Sequence, residues 1–125
     1  MNLHAALDLH RDTLRGLSTK VTYGRGTARV IVTAFRDATR SAEGDESGGV
    51  VSVRTDDWIV DRADLVLEGA LIEPRAGDVI REAVDGGVNV YEVVAIAGQP
   101  PARPSGNDPR RLRIHTQWIA TEAPS

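Results

Sequence analysis

The chain lacks cysteine and is poor in aromatic residues. Without cysteine, disulfides, thiolate metal sites and cysteine nucleophiles are excluded. Aromatic residues make up only 4% of the 125 residues, so we expect an aliphatic core. Valine alone supplies 14 positions, and β-branched side chains favour strands. Twelve glycines and six prolines interrupt the chain too often for a helical bundle. These features together predict one small β-rich domain.

The chain also lacks long apolar runs and a strong excess of one charge. No apolar run reaches the length of a membrane span, and the net charge of −3 gives no general attraction to nucleic acid. The charges are nevertheless segregated: residues 1–40 carry net +4, residues 41–73 carry net −7, and residues 74–125 are balanced. Opposite segments can face each other within one fold. They can also mark different faces of a subunit that joins a ring.

Residues 1–17 are predicted to form an N-terminal helix. Asn2 is a suitable N-cap, leucines recur at helical spacing, and Gly16 is a natural end. An isolated helix of this length is marginally stable, so its leucine stripe should dock on this subunit's sheet or on a neighbour. The charged residues in this segment do not resemble a signal peptide.

From Thr19 the pattern changes to the two-residue period of strands, and residues 18–119 are predicted to form the β-barrel. A first hairpin is predicted from residues 20–23 and 27–35. A second is predicted from residues 78–84 and 88–97, joined by an Asp-Gly turn. Further strands are predicted at Val50–Val60 and Arg111–Ile119, and a short helical turn at Ala63–Leu65.

Two polar segments are predicted to be long loops. Residues 37–49 contain almost nothing apolar, and we expect a mobile loop there. Residues 99–108 contain three prolines and form the second predicted loop. Residues 120–125 are expected to fray. The predicted fold is therefore mainly β: a small barrel or sandwich of six to seven strands, with one N-terminal helix and two long loops.

The search for catalytic chemistry finds no convincing constellation. The three histidines, His4, His10 and His115, do not have metal-ligand spacing. Gly24-Arg25-Gly26 lacks the third glycine and the following helix of a nucleotide loop. No serine lies in a nucleophile-elbow context. We expect no catalytic residue, no cofactor and no metal, and therefore no enzymatic activity.

Two sets of residues have both a structural and a functional interpretation. The acidic cluster around Asp56 and Asp57 is interpreted as a solvated strand end, or as a contact surface for arginines of a neighbouring subunit. Trp58 and Trp118 are either core residues or interface anchors, because tryptophan is enriched in binding hot spots.

Three parts of the sequence together resemble a known family. These are Val51-Ser52-Val53-Arg54-Thr55-Asp56, the Pro74-x-x-Gly77-Asp78-x-Ile80 corner, and the returning strand with Tyr91-x-Val93. With the predicted helix and long loop, they resemble the head–tail joining (neck or stopper) proteins of tailed bacteriophages and gene-transfer-agent-like particles. The layout covers nearly the whole chain, and the resemblance at residue level covers about residues 50–95.

The resemblance implies a structural virion protein at the neck of a tailed particle, made in the cytoplasm of the bacterial host. Its implied partners are copies of itself in a ring, commonly sixfold, the portal or adaptor protein, and tail proteins. Packaged DNA would pass through the ring channel without sequence-specific binding, and the long loop would help to retain it. No membrane partner is implied.

We expect the interface and channel residues to lie on the long loop, on the first hairpin tip and in the acidic cluster. They are Arg25, Arg40, Glu43, Asp45, Glu46, Asp56, Asp57 and Trp58. Two other functions remain open from the sequence: a tail-terminator ring subunit, or a small β-barrel binding module unrelated to virions. The sheet lacks the exposed aromatics interleaved with basic residues that nucleic-acid binding favours.

Overall fold

The computed structural model describes residues 18–44, 50–96 and 98–123. The predicted N-terminal helix lies outside the described residues. The described strands are β1 (Thr19–Arg25), β2 (Ala28–Gly44), β3 (Val50–Asp61), β4 (Val66–Leu67), β5 (Ala70–Leu71), β6 (Val79–Val84), β7 (Gly87–Val93), β8 (Ala102–Ser105) and β9 (Asp108–Glu122). A single turn of 3₁₀ helix, Arg62–Asp64, follows β3 and agrees with the predicted helical turn.

Six strands close into a barrel. The sheet runs in the order β3-β2-β1-β6-β7-β9, and antiparallel pairing between β3 and β9 over Asp56–Asp61 closes it. β8 adds to β9 outside this circle, and β4 and β5 form a separate short hairpin. The prediction of a small, mainly β barrel is therefore confirmed. Closure removes most free strand edges from the barrel wall.

Strand alternation fills the barrel with aliphatic side chains, as the composition predicts. In β2, Val32 and Ala34 are buried while the alternate Ile31 and Thr33 face outward. Tyr23, Trp58 and Tyr91 are the large aromatic members of the core, and Trp58 meets Tyr91 edge-on at 5.2 Å between ring centroids. The remaining members of the core cluster are Val21, Val32, Ala34, Val60, Leu65, Leu67, Ile80, Val93, Leu112 and Ile114.

The two predicted hairpins are confirmed. β1 pairs with β2 across Gly26, which has a φ of 60°, and β6 pairs with β7 across Asp85-Gly86, where Gly86 has a φ of 81°. Only glycine adopts this left-handed conformation without steric cost, which explains why both turns carry one.

Three boundaries differ from the sequence prediction. The predicted loop at 37–49 is wrong for residues 37–44, which continue β2 and pair with β3. The predicted loop at 99–108 contains β8, and the predicted frayed tail is wrong for residues 120–122, which end β9. In all three places, backbone pairing holds mostly polar residues in strands. Such strands show little of the alternation between apolar and polar residues by which a strand is predicted from sequence.

The two ends of the barrel are different. At one end, which we call the cap end, the segment after β3 crosses the barrel mouth and inserts the buried Leu65 and Leu67 into the core. The β4–β5 hairpin lies on this segment. At the other end, β2 and β3 run together beyond the barrel wall.

Candidate functional site

The most distinctive element is a two-stranded ribbon that extends from the barrel, which we call the arm. It consists of residues 39–44 of β2 and residues 50–55 of β3, joined by six register pairs from Thr39↔Thr55 to Gly44↔Val50. At roughly 3.4 Å per residue the paired part spans about 20 Å. Among the described residues, no other strand pairs with the arm, because β1 leaves β2 at Ala34 and β9 leaves β3 at Asp56.

A network of polar side chains holds the root of the arm to the barrel wall; we call it the arm base. Asp37 of β2 lies directly opposite Asp57 of β3, an arrangement that places like charges side by side. Arg113 of β9 bridges them: its Nη2 donates to Asp37 Oδ2 at 2.7 Å and its Nη1 donates to Asp57 Oδ2 at 2.9 Å. On the other oxygen, Thr55 Oγ1 donates to Asp57 Oδ1 at 2.7 Å, and His115 Nδ1 lies 2.9 Å from it.

Three members of the arm base are buried although they lie on the outer face of the sheet, whereas Asp37 is exposed. Asp57 and Thr55 have 0% exposure, and His115 is also buried. Hydrogen bonding from Arg113 is the main cause that lowers the pKa of Asp37 below its ordinary value. Burial acts to lower the pKa of Arg113, but hydrogen bonds to Asp57 and Asp37 outweigh it and raise that pKa. Asp37 and Arg113 therefore keep their charges at neutral pH. The bridge that Arg113 forms ties three strands together at the point where the arm leaves the barrel.

On the inner face at the same end, an arginine covers the aromatic core. The Arg36 guanidinium lies 5.5 Å from the ring centroid of Trp58 and 5.2 Å from that of Tyr91. Its Nη2 is 3.6 Å from Asp56 Oδ1 and its Nη1 is 3.7 Å from Glu82 Oε1. These cation–π and ionic contacts close the barrel mouth beneath the arm.

At the cap end, the Pro-x-x-Gly-Asp corner is organised around the buried carboxylate of Asp78. Gly77 has a φ of 96°, and its N–H donates to Val93 O at 2.9 Å, which fixes the corner against β7. Asp78 then accepts hydrogen bonds from the Tyr23 hydroxyl, from Arg25 Nε at 3.0 Å and Nη2 at 2.8 Å, and from the Arg75 N–H at 3.0 Å.

This corner network sets the charge states of its members. Burial acts to raise the pKa of Asp78, but hydrogen bonds from Arg25 and Tyr23 outweigh it and the pKa is lowered. Burial, reinforced by Asp78, raises the pKa of Tyr23 far above its ordinary value. Asp78 therefore remains a carboxylate and Tyr23 a hydroxyl donor, and together they anchor β1 to the start of β6.

The structure separates the predicted site residues. Arg40 and Glu43 lie in the β2 strand of the arm, and Asp45 and Glu46 lie outside the described residues. The other predicted members are Arg25, Asp56, Asp57 and Trp58. Arg25 binds Asp78 at the cap end, Asp56 faces Arg36 at the barrel mouth, and Asp57 belongs to the arm base. Trp58 has 0% exposure, so the core interpretation holds for it.

Sequence reasoning missed the residues that position the arm. Nothing in the local sequence of Arg113 and His115 indicates that they lie beside carboxylates of β2 and β3. By contrast, Trp118 is 55% exposed on β9, where its Nε1 donates to Thr121 Oγ1 at 3.3 Å. In the described part of the chain, no three histidine or carboxylate side chains converge as a metal site would require.

The charge networks of this closed barrel hold its strands and its projecting arm in place, an arrangement that suits a structural protein. Residues 1–123 match the family described as phage head-tail joining protein. Because the match covers nearly the whole chain, the protein belongs to the phage head-tail joining protein family. A search of the curated proteins found no match.

Family membership confirms the resemblance found in the sequence and assigns a structural role at the head–tail junction of the virion. The family is one of structural proteins rather than enzymes. Within residues 18–44, 50–96 and 98–123, no helix has the length and apolar character that a bilayer crossing requires.

Proposed function

We propose that this protein is a stopper-type subunit of a neck ring, which joins the DNA-filled head to the tail and helps to retain the packaged DNA. Copies of the chain form the ring, commonly sixfold in such proteins, between the portal or its adaptor and the tail. The barrel builds the ring wall, and the arm projects toward the channel.

The observation that carries this proposal is the arm itself. A two-stranded ribbon alone is at best marginally stable in water, because it has no third strand or packed face. Here the pairing of β2 and β3 nevertheless continues for six pairs past the barrel. A projecting ribbon of this kind gains stability when neighbouring copies or an adjoining protein cover it, which is the situation inside a ring.

The arm base supports the same function. A channel element must be held at a fixed angle to the ring wall if it is to obstruct DNA. Arg113 connects both strands of the arm root to β9, which is a wall strand, through bonds of 2.7 and 2.9 Å. The arm therefore leaves the barrel from a rigid junction rather than from a flexible linker.

The experiment that tests this proposal shortens the arm without disturbing the barrel. Replacing residues 40–54 by Asn-Gly leaves Thr39 opposite Thr55 and closes the ribbon with a favoured two-residue turn. We expect a folded protein whose thermal midpoint changes by only a few degrees, since the core lies outside the arm. Particles built with it should lose packaged DNA, which a nuclease-protection assay measures.

Asp85→Asn provides the matched control, because it alters an exposed hairpin turn at the same end of the barrel. Particles with this variant should retain DNA as the wild type does. DNA retention together with tails of abnormal length in the arm-shortened variant would instead favour a tail terminator. Normal yields of DNA-filled, infectious particles from that variant would disprove the role of the arm.

A further inference from the structure

The β4–β5 hairpin presents an apolar pair on its outer face. Val66 and Leu71 lie directly opposite each other in the register, and they are 39% and 60% exposed. The other face of the hairpin is anchored, since Leu67 is buried in the core cluster. Leu71 also lines an open groove of about 640 Å³ beside the 3₁₀ turn and the start of β9. This apolar surface is therefore held rigidly toward the outside of the subunit.

The tip of the same hairpin holds a glutamate in an unfavourable conformation. Glu68 has a φ of 52°, and it is the only non-glycine residue with a positive φ among the described residues. Glycine or asparagine is preferred at such a turn position, and backbone strain of this kind is often kept where a side chain has a function. Neither Glu68 nor the exposed Asp64 forms an ion pair with another described residue.

A complementary surface lies on the barrel wall, and we call it the cationic face. Ile31 is 68% exposed on β2. Thr22 of β1 lies opposite Ile31, and Arg81 of β6 lies opposite Thr22 on its other side. Arg29 and Lys20 complete the surroundings on the outward side of β2 and β1. None of these three basic residues pairs with a carboxylate elsewhere in residues 18–44, 50–96 and 98–123.

We infer that the β4–β5 hairpin of one copy docks on the cationic face of the next copy. Two of the four acidic residues in 61–73 are paired, Asp61 with Arg111 and Glu73 with Arg62. Glu68 and Asp64 therefore remain as the acidic groups of the hairpin segment that have no ion pair among the described residues. The cationic face carries +3 from Lys20, Arg29 and Arg81. Each surface also exposes an apolar centre, Leu71 on one and Ile31 on the other. Opposite charge around two apolar centres favours contact between two copies, and two different patches on one chain form the head-to-tail contact that builds rings.

This inference rests on the proposed ring, and the absence of cysteine allows a direct test. Leu71→Cys and Ile31→Cys are introduced into one chain, and both positions are exposed, so the fold should tolerate them. Under mild oxidation of assembled rings or particles, we expect a ladder of disulfide-linked multimers on a non-reducing gel. Chains with either single substitution should give no ladder.

The matched control combines Ile31→Cys with Asp85→Cys, since Asp85 lies at the end of the barrel opposite the β4–β5 hairpin. The docking inference would be overturned if the wild type assembles but the Leu71/Ile31 pair gives no ladder. It would also be overturned if the control pair gives an equal ladder. Either result would leave the proposed function standing. A wild-type protein that neither forms multimers nor joins particles would overturn the proposed function and this inference with it.

Charge reversal gives a second, independent measurement. At low salt, Glu68→Arg or Arg29→Glu alone should raise the protein concentration needed for assembly at least about tenfold, because each substitution places like charges together. The two substitutions in one chain should restore assembly, and the single-variant defect should shrink as salt screens the charges. Failure of the double variant to recover, while both single variants remain folded, would contradict the docking arrangement.

Discussion

Asp78→Ala is expected to lower the free energy of unfolding by about 3 kcal/mol or more, because removal of one partner of a buried ionic network strands the others. The substitution leaves the buried Tyr23 hydroxyl and the Arg75 N–H without their acceptor, and it removes the carboxylate partner of the Arg25 guanidinium. Urea unfolding, followed through tryptophan fluorescence, measures the change.

The control for this prediction is Asp108→Ala, which removes a partly exposed carboxylate that pairs with the exposed Arg110. It should leave stability almost unchanged, because exposed ion pairs contribute little. Tyr23→Phe combined with Asp78→Ala should cost less than the sum of the two single substitutions, since the hydroxyl that lacks an acceptor is then absent. Equal stability of Asp78→Ala and Asp108→Ala would refute the importance of the corner.

The same network predicts the direction of acid sensitivity. The pKa of Asp78 is lower in the folded protein than the ordinary value of about 3.9 in an unfolded chain. The contribution of Asp78 to the free energy of unfolding is therefore fully present above that ordinary value, and it disappears as the pH falls through the folded-state pKa. The difference in stability between the wild type and Asp78→Asn should shrink on acidification from neutral pH. A difference that grows toward low pH would contradict the lowered pKa.

Arg113→Ala is expected to cost about 3 kcal/mol, since Asp57 is wholly buried and loses a charged partner. It also leaves Asp37 and Asp57 opposite each other without the bridging guanidinium. Arg113→Lys should recover only part of the loss, because an ammonium group cannot make the same forked contact with two carboxylates. Denaturant unfolding gives the total cost, and hydrogen exchange of the arm amides shows where the structure loosens.

A rescue experiment separates the bridge from general packing. Asp37→Asn on the Arg113→Ala background removes one of the facing carboxylates, and it should regain up to about 1 kcal/mol, the usual range for a cross-strand pair. Arg110→Ala serves as the exposed-arginine control and should leave arm exchange unchanged. If Arg113→Ala leaves the exchange of the arm amides unchanged, the arm base does not hold the arm.

The barrel could be predicted from the sequence because its information is local. Alternation along β2 distinguishes the buried Val32 and Ala34 from the exposed Ile31 and Thr33. Gly86, with its positive φ, marks the turn between β6 and β7. The Pro74 to Asp78 corner is also visible in the sequence, although the side-chain partners of Asp78 come from β1, 53 and 55 residues away. A pattern of neighbouring residues identifies a corner but not the side chains that meet it.

The arm could not be predicted for the opposite reason. The β3 half of the arm belongs to the predicted strand Val50–Val60, but residues 37–44 of β2 have the composition of a loop. Their pairing with β3 is a long-range backbone property. The arm base depends on three strands that approach one another only in the folded chain, with Arg113 76 residues from Asp37. Periodicity along one strand contains no information about which strand lies beside it.

The continuity of β3 determines how a mechanical load on the arm reaches the subunit. The same strand is arm over residues 50–55 and wall over Asp56–Asp61, so no joint separates tip from body. Hydrogen bonds of an antiparallel ladder lie across the strand direction. A pull along β3 therefore strains its six wall pairs with β9 in shear, all together, instead of unzipping them one after another.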